Sequence, residues 1–182
     1  MYPIYLIGYM GAGKTTVGRL LARKLNCPFV DLDDAFAEIT GSTVCEYVSE
    51  YGENAFRKAE KDCVEKLSEL PIQKVVYATG GGYPCWEDNM ECLKELGTSF
   101  YLRWKNEHLA RRIELSGTEH RPLVRGKSGR ELLDFVEWQM SGRAPFYEQA
   151  DYIIDADFGM LHETDDEMLA EKIFKIIEDN KR

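Results

Sequence analysis

One segment constrains this chain more than any other feature: residues 8–15, with the sequence GYMGAGKT. It fits the pattern G-x-x-x-x-G-K-[ST] and lies between a strand-like apolar run and a segment with helical spacing of its apolar residues. Glycines at these positions let the backbone curl so that successive N–H groups face one anion, and the start of the next helix adds positive potential. An ordinary glycine-rich turn is the alternative, but the flanking strand and helix disfavour it. The segment therefore predicts a loop that binds nucleotide phosphates.

Several residues in this loop, and the one that follows it, have an expected contact with the nucleotide or with its metal ion. Lys14 is expected to bridge the β- and γ-phosphates, and the Thr15 hydroxyl is a hard oxygen ligand of the kind that Mg²⁺ prefers. The other predicted ATP contacts in this part of the chain are Gly11, Ala12, Gly13 and Thr16. Mg²⁺ is thus the expected cofactor, and the phosphate loop alone leaves open which nucleotide accompanies it.

Short apolar runs rich in β-forming residues alternate with longer segments of helical period along the chain. The runs lie at residues 2–7, 29–31, 74–79, 99–102 and 152–154. This alternation implies βαβ crossovers, and hence a parallel sheet with helices on both faces and ligands at the carboxyl ends of its strands. The predicted fold class is three-layer α/β with five strands, in a single domain over residues 1–182.

Two stretches interrupt this alternation. Residues 33–60 hold two helical segments where one crossover would be enough, and residues 115–130 (LSGTEHRPLVRGKSGR) are rich in glycine and basic residues with little apolar content. Long connections within a compact domain commonly carry function. We expect the first stretch to be a substrate-binding insertion and the second to be a lid.

The net charge, the hydropathy pattern and the cysteines disfavour several classes of function. The formal net charge of −9 argues against non-specific binding to nucleic acid or to anionic membranes. The apolar runs are far shorter than the roughly 20 residues that cross a bilayer, and the chain starts with a strand-like run rather than a charged leader. Five cysteines form no C-x-x-C pair, which suits reduced thiols. We therefore expect a soluble, cytoplasmic protein, and we predict a monomer.

Two carboxylates follow the second predicted strand, in the sequence DLDD at residues 31–34. Alternation along an extended strand would place Asp31 and Asp33 on the same side. At a carboxyl strand end, one of them can help to hold the metal through water and the other can orient or deprotonate a nucleophile. The alternative is an acidic turn that caps a helix beginning near Ala35, with Asp34 as the capping residue.

Two further motifs follow in the next crossover and strand. Arg57, in the sequence FRKAE, could clamp a carboxylate with two hydrogen bonds, or could form an ordinary solvated helix pair with Glu53 or Glu60. A buried strand then ends in three glycines, residues 80–82, which permit close approach of the backbone to a ligand. A plain loop is the alternative for these glycines.

Taken together, these motifs resemble those of the shikimate kinase family. The shared segments are GYMGAGKTT, DLDD, FRKAE, ATGGG, HRPLV and GRAPFYEQADYIID, and their order and spacing agree from about residue 2 to residue 155. The resemblance implies a fold like that of nucleoside monophosphate kinases, with a five-stranded parallel sheet. It also implies transfer of a phosphoryl group from ATP to the 3-hydroxyl of shikimate, a step of aromatic amino acid biosynthesis.

The resemblance also assigns roles on the acceptor side. Asp33 would hold hydroxyls of shikimate and serve as the catalytic base, while Asp31 would act on Mg²⁺ through water. Arg57 and Arg143 would grip the shikimate carboxylate. The backbone at Gly80, Gly81 and Gly82 would line the ring of the substrate. For Arg143 the open alternative is a helix C-terminal cation near Gly142.

On the nucleotide side, the resemblance implies that Arg121 reaches the ATP phosphates and stabilises charge during transfer, as arginine fingers do. A solvated loop charge is its alternative. Arg112 corresponds to an adenine-facing arginine, although Arg111 adjoins it. The chain departs from the family in two places. It has DADF at residues 155–158, where the family often has a proline near the adenine, and its lid is slightly long between Arg112 and Arg121.

Two rival functions follow from the phosphate loop alone. One is another small-molecule kinase on the same scaffold, such as a gluconate kinase or a nucleoside monophosphate kinase. The other is a nucleotide-binding module without catalysis. A nucleotide acceptor would need more basic residues for its phosphate, and the presence of both Asp33 and Thr15 favours catalysis over binding alone.

Overall fold

The computed structural model describes residues 2–72, 74–119, 121–156, 161–162 and 164–180. Five strands form one parallel sheet in the order β2-β3-β1-β4-β5. The strands are β1 (Ile4–Ile7), β2 (Phe29–Asp31), β3 (Val76–Ala78), β4 (Thr98–Arg103) and β5 (Tyr152–Asp155). The predicted three-layer α/β fold with a five-stranded parallel sheet is confirmed.

Helices connect the strands and cover the sheet. They are α1 (Lys14–Leu25), α2 (Leu32–Thr40), α3 (Val44–Tyr51), α4 (Glu53–Ser68), α5 (Asn89–Leu96), α6 (Asn106–Leu115), α7 (Gly129–Tyr147) and α8 (Asp165–Asp179). Short 3₁₀ turns lie at Tyr83–Cys85 and Pro122–Val124. No helix in the described ranges is long and apolar enough to cross a membrane.

The central strand β1 positions the phosphate loop. All of its residues are buried, as expected for a strand with parallel neighbours on both sides and helices on both faces. It pairs with β3 on one side, Ile4 opposite Val76, and with β4 on the other, Ile4 opposite Thr98. The loop that leaves β1 therefore emerges between the ends of two neighbouring strands, where ligands bind in sheets of this type.

The region between β2 and β3 has a small core of its own. The two helical segments predicted within residues 33–60 correspond to α2 and α3, and α4 is the crossover helix that follows them. Phe36, Phe56 and Cys63 form a buried cluster separate from the main core. Phe36 meets the rings of Tyr47 and Phe56 edge-on, with centroids 5.2 Å apart in each pair.

The structure corrects two predictions about the DLDD segment. Strand β2 ends at Asp31 and α2 begins at Leu32, so Asp33 lies in the first turn of a helix and strand alternation does not apply to it. The residue that caps this helix is Asp31 and not Asp34, because an Asp31 oxygen accepts from the Asp33 N–H at 3.1 Å. The helix thus begins earlier than the predicted start near Ala35.

Candidate active site

The phosphate loop has the backbone that its glycines allow. Gly11 and Gly13 have φ values of +79° and +88°, in the left-handed region that other residues rarely adopt. The ammonium group of Lys14 folds over the loop and donates to the carbonyl oxygens of Gly8 at 2.9 Å and Tyr9 at 3.0 Å. Burial lowers the pKa of Lys14 to about 8, and the charges of Asp33 and Asp31 oppose this shift. A phosphate in the loop would favour the charged form further.

A cleft of about 600 Å³ lies over this loop. The predicted ATP-binding residues that line it are Gly11, Gly13, Lys14, Thr15, Thr16, Arg112 and Arg121. Ala12 is fully buried instead, and its carbonyl oxygen accepts a 3.0 Å hydrogen bond from Nε1 of Trp104. Of the predicted set, the side chain of Ala12 is therefore the one that does not face the cleft.

The two adjoining arginines of α6 have different surroundings. Arg112 points into the cleft, where its Nε donates to the Gly11 carbonyl at 2.7 Å and its Nη2 pairs with Asp166 at 2.7 Å. Arg111 lies on the outer surface and pairs with Glu114 at 2.8 Å. The structure thus places Arg112, and not Arg111, where a nucleotide would bind.

Arg121 lines the same cleft from the predicted lid. Its guanidinium donates to the hydroxyl of Ser116 at 2.7 Å and to the carbonyl oxygens of Ile113 and Gly117 at 3.3 and 3.4 Å. These contacts hold it against the end of α6, which is inconsistent with a freely solvated loop charge. His120, of the HRPLV segment, and Asp157 and Phe158, at the position of the family proline, lie outside the described residues.

Thr15 and Asp31 bring oxygen atoms together beside the phosphate loop. The Thr15 hydroxyl donates to an Asp31 carboxylate oxygen at 2.7 Å. Across the described residues, no group of three or more His, Cys, Asp or Glu side chains could hold a metal by itself. This donor set fits Mg²⁺, which binds through one or two protein oxygens, substrate phosphates and several waters.

Asp33 lies in the first turn of α2 beside the glycines that follow β3, where a β-carbon at Gly80 would be 3.0 Å from its Oδ1. The residue is exposed, yet the surrounding protein displaces enough water to raise the pKa of the carboxyl group. The negative charge of Asp31 raises that pKa further, while Lys14 and Arg57 lower it. A carboxylate with a raised pKa is a stronger proton acceptor once ionised, which suits a general base.

Arg57 and Glu60 form an ion pair on α4 that is largely shielded from water. Arg57 Nη1 lies 2.7 Å from Glu60 Oε2, and the side chains are 13% and 3% exposed. A second, longer contact of 3.4 Å joins Arg57 to the exposed Glu53. The sequence also allowed a solvated helix pair of Arg57 with Glu53 or Glu60 as an alternative to carboxylate binding. Arg57 does pair with both residues, but its main pair, with Glu60, is largely shielded from water and not solvated.

The three glycines after β3 leave room for these charged groups. A β-carbon at Gly80 would lie 2.8 Å from Glu60 Oε1 and 3.0 Å from Asp33 Oδ1, and one at Gly82 would collide with the Arg57 guanidinium. Two carboxylates and a guanidinium thus converge on one short stretch of backbone. The side chains could not lie so close to the backbone if these residues were not glycine.

Arg143 reaches the same glycines from inside α7. Its Nη1 would be 3.7 Å from a β-carbon at Gly81, and its guanidinium lies over the buried ring of Tyr9 at 5.4 Å. None of the ion pairs found among the described residues involves Arg143. Its position within α7 (Gly129–Tyr147) also excludes the predicted alternative of a cation at a helix C-terminus near Gly142.

Sequence reasoning missed several residues that shape this site. Tyr147 donates to the Gly81 carbonyl at 2.5 Å and so fixes the glycine stretch. Trp104 and Asp166 hold Arg112, and Glu60 has one buried oxygen, Oε1, without a hydrogen-bond partner in the described part of the chain. For Trp104, its place directly after β4, at a carboxyl strand end, was a usable signal.

Glu60 provides a test that depends on pH. Burial raises its pKa from 4.5 to about 7, and Arg57 opposes the shift. Between these values the folded protein binds a proton that the unfolded chain has lost, so the free energy of unfolding falls as pH rises. Glutamine cannot ionise, so the Glu60→Gln variant does not lose stability in this way. We therefore expect its free energy of unfolding, relative to that of the original protein, to increase as pH rises through this range. Urea unfolding of both proteins at about pH 5 and about pH 8 measures the difference. A difference independent of pH would contradict the assignment.

The fold and the geometry of the cleft define a P-loop kinase of the nucleoside-monophosphate-kinase type. The family model for shikimate kinase matches residues 10–178. The shikimate kinase of Bacteroides thetaiotaomicron is 45% identical over 157 residues, which cover 86% of this chain and 88% of that protein. The chain belongs to the shikimate kinase family.

Solved structures agree with this assignment. A crystal structure of the B. thetaiotaomicron shikimate kinase superposes with a TM-score of 0.86 at 40% identity, covering 96% of this chain and 97% of the other. A shikimate kinase from Acinetobacter baumannii in complex with shikimate gives 0.82 at 34% identity, covering 98% and 93%. A gluconokinase from Sinorhizobium meliloti, at 16% identity and a TM-score of 0.57, shares the fold alone.

Proposed function

We propose that this protein transfers the γ-phosphoryl group of ATP to the 3-hydroxyl of shikimate. The observation that carries the proposal is the meeting of two half-sites at one edge of the sheet. The phosphate loop forms one half-site. Asp33, Arg57 and Arg143 form the other around the glycines at 80–82. Gly81 lies beside the phosphate loop itself, since a β-carbon at this position would be 3.4 Å from the Gly8 carbonyl oxygen.

The acceptor half suits a small hydroxylated carboxylate. Arg57 and Arg143 approach the glycine stretch and can bind one carboxylate between them, since guanidinium groups match carboxylates in shape and charge. Asp33 then faces the hydroxyl groups at the other end of the molecule. The backbone of Gly80, Gly81 and Gly82 lines the space between, where no side chain obstructs a ring.

During transfer, Asp33 accepts the proton of the 3-hydroxyl as its oxygen bonds to the γ-phosphorus, and the bond from that phosphorus to ADP breaks. Lys14 and Arg121 neutralise the charge on the phosphate oxygens, and their positions at the cleft support these roles. Thr15 would hold Mg²⁺ directly and Asp31 would hold it through water, and the ion would supply further charge stabilisation.

The two long connections complete the proposed site. Residues 33–60 form the acceptor-binding insertion, supported by the positions of Asp33 and Arg57. Residues 115–130 form a lid, supported by the place of Arg121 at the cleft. Closing such a lid excludes water, which would otherwise compete with the acceptor hydroxyl for the phosphoryl group.

We also propose that the protein works as a monomer in the cytoplasm. Every group of the proposed site comes from one chain, so no second subunit is needed to complete it. The five cysteines are all unpaired, which suits a reducing compartment. Light scattering of the purified protein would test the first of these proposals.

The direct test is ADP release from ATP with different acceptors. We expect turnover with shikimate, and little above background with gluconate, AMP or no acceptor. Preference for gluconate would favour the other small-molecule kinase, and ADP binding without turnover on any acceptor would favour the non-catalytic module. Either result would overturn the proposal.

A further inference from the structure

The guanidinium of Arg112 is fixed on three sides at the edge of the cleft. One face lies on the ring of Trp104, with its carbon 4.5 Å from the ring centroid. Its Nε donates to the Gly11 carbonyl, and its Nη2 pairs with Asp166 Oδ1, each at 2.7 Å. Among the described residues, these contacts leave the face opposite Trp104 without a partner of this kind, and the group lines the cleft.

This arrangement is tied to the phosphate loop as well as to α8. Trp104 donates to the carbonyl of Ala12, and Arg112 donates to that of Gly11. A β-carbon at Gly13 would lie 2.5 Å from Asp166 Oδ1 and 2.9 Å from Arg112 Nη2, so the ion pair rests directly on this glycine. The absence of a side chain at Gly13 therefore serves the ion pair and not only the phosphates.

The charges of Arg112 and Asp166 indicate the role of this arrangement. Asp166 places a negative charge beside the phosphate loop, and this charge disfavours an anionic ligand. A residue with that cost is expected to have another role at the site. The pair is partly shielded, with side chains 19% and 17% exposed. A flat, oriented guanidinium is a good stacking surface for an aromatic base. Holding that plane still before the ligand arrives lowers the ordering cost of binding.

We propose that Asp166 is a positioning residue of the nucleotide site, which holds Arg112 flat against Trp104 so that its free face receives the nucleobase. The proposal rests on the proposed function, because it takes the ligand of the cleft to be a nucleotide. It assigns the organisation of the base site to the first turn of α8, next to the segment where the family proline is missing.

The test separates base binding from phosphate binding. Calorimetry measures the affinity of the full chain for ADP and for inorganic tripolyphosphate, which has phosphates but no base. We expect Asp166→Ala to weaken ADP binding about tenfold, while tripolyphosphate binds equally well or more tightly because a negative charge has been removed. Asp166→Asn keeps an acceptor oxygen in place and should retain more ADP affinity than the alanine variant.

Glu167→Gln is the matched control, since it removes a carboxylate from the same turn that forms none of the Arg112 hydrogen bonds or ion pairs found among the described residues. We expect it to leave ADP affinity unchanged or slightly raised. The proposal is overturned if Asp166→Ala leaves ADP binding unchanged, weakens tripolyphosphate equally, or binds ADP better than Asp166→Asn does. These measurements need no acceptor and no turnover. Failure to phosphorylate shikimate would therefore contradict the proposed function, and not this inference.

Discussion

Replacing Asp33 by asparagine is expected to lower kcat with shikimate by about a hundredfold or more, the contribution typical of a positioned general base. Asparagine has nearly the same shape but cannot accept the proton of the acceptor hydroxyl. The KM for ATP should change little, because Asp33 belongs to the half of the site that we propose for the acceptor. Steady-state kinetics with each substrate varied in turn measures both effects.

Asp34→Asn is the matched control for this experiment. It removes a carboxylate from the same helical turn, and the side chain is exposed. Both variants lose one negative charge from the first turn of α2, so a general electrostatic effect of that turn would appear in both. Near-normal turnover in Asp33→Asn, or an equal loss in Asp34→Asn, would remove Asp33 as the base.

Replacing Arg57 by alanine is expected to raise the KM for shikimate by about thirtyfold or more, as for the loss of one partner from a desolvated charge pair. The contact that we propose for Arg57 is to the acceptor carboxylate, so the KM for ATP should stay close to its original value. Arg57→Lys keeps the charge but loses the planar fork, and we expect an intermediate KM.

Loss of Arg57 also leaves Glu60 buried without its cation, so two further variants separate binding from stability. The double variant Arg57→Ala, Glu60→Gln removes the unpaired charge and should keep the high KM while recovering stability. Arg111→Ala removes an exposed pair with the same helical spacing, Arg111–Glu114, and should leave the kinetics unchanged. A shikimate KM that returns to normal in the double variant would show that Arg57 only supports the fold.

The phosphate loop was predictable because its requirements are local. A tight turn of backbone N–H groups depends on glycines at fixed positions between a strand and a helix, and all of that is contained in a short segment. The sheet was predictable for a similar reason, since buried parallel strands appear as apolar runs. Neither prediction required knowledge of distant contacts.

The acceptor side could be predicted only in part. The prediction placed Asp33 at the carboxyl end of β2, but on the strand and not on the helix that follows. Nothing in the local sequence pattern shows that β2 ends at Asp31 and that the Asp31 side chain caps α2. The burial of the Arg57–Glu60 pair could not be predicted, because it depends on contacts with Gly80 and Gly82, which follow β3 and are distant in sequence. The same holds for Arg112, whose ion-pair partner lies 54 residues away on α8.

The small aromatic cluster between β2 and β3 has a consequence for how such enzymes diversify. Phe36, Phe56 and Cys63 support the helices of the proposed acceptor-binding insertion and form a cluster distinct from the main core. Substitutions that reshape the acceptor pocket can therefore accumulate there while the nucleotide half keeps its stability. One scaffold can in this way serve kinases for different small molecules, and a new acceptor requires changes in a region that tolerates them separately.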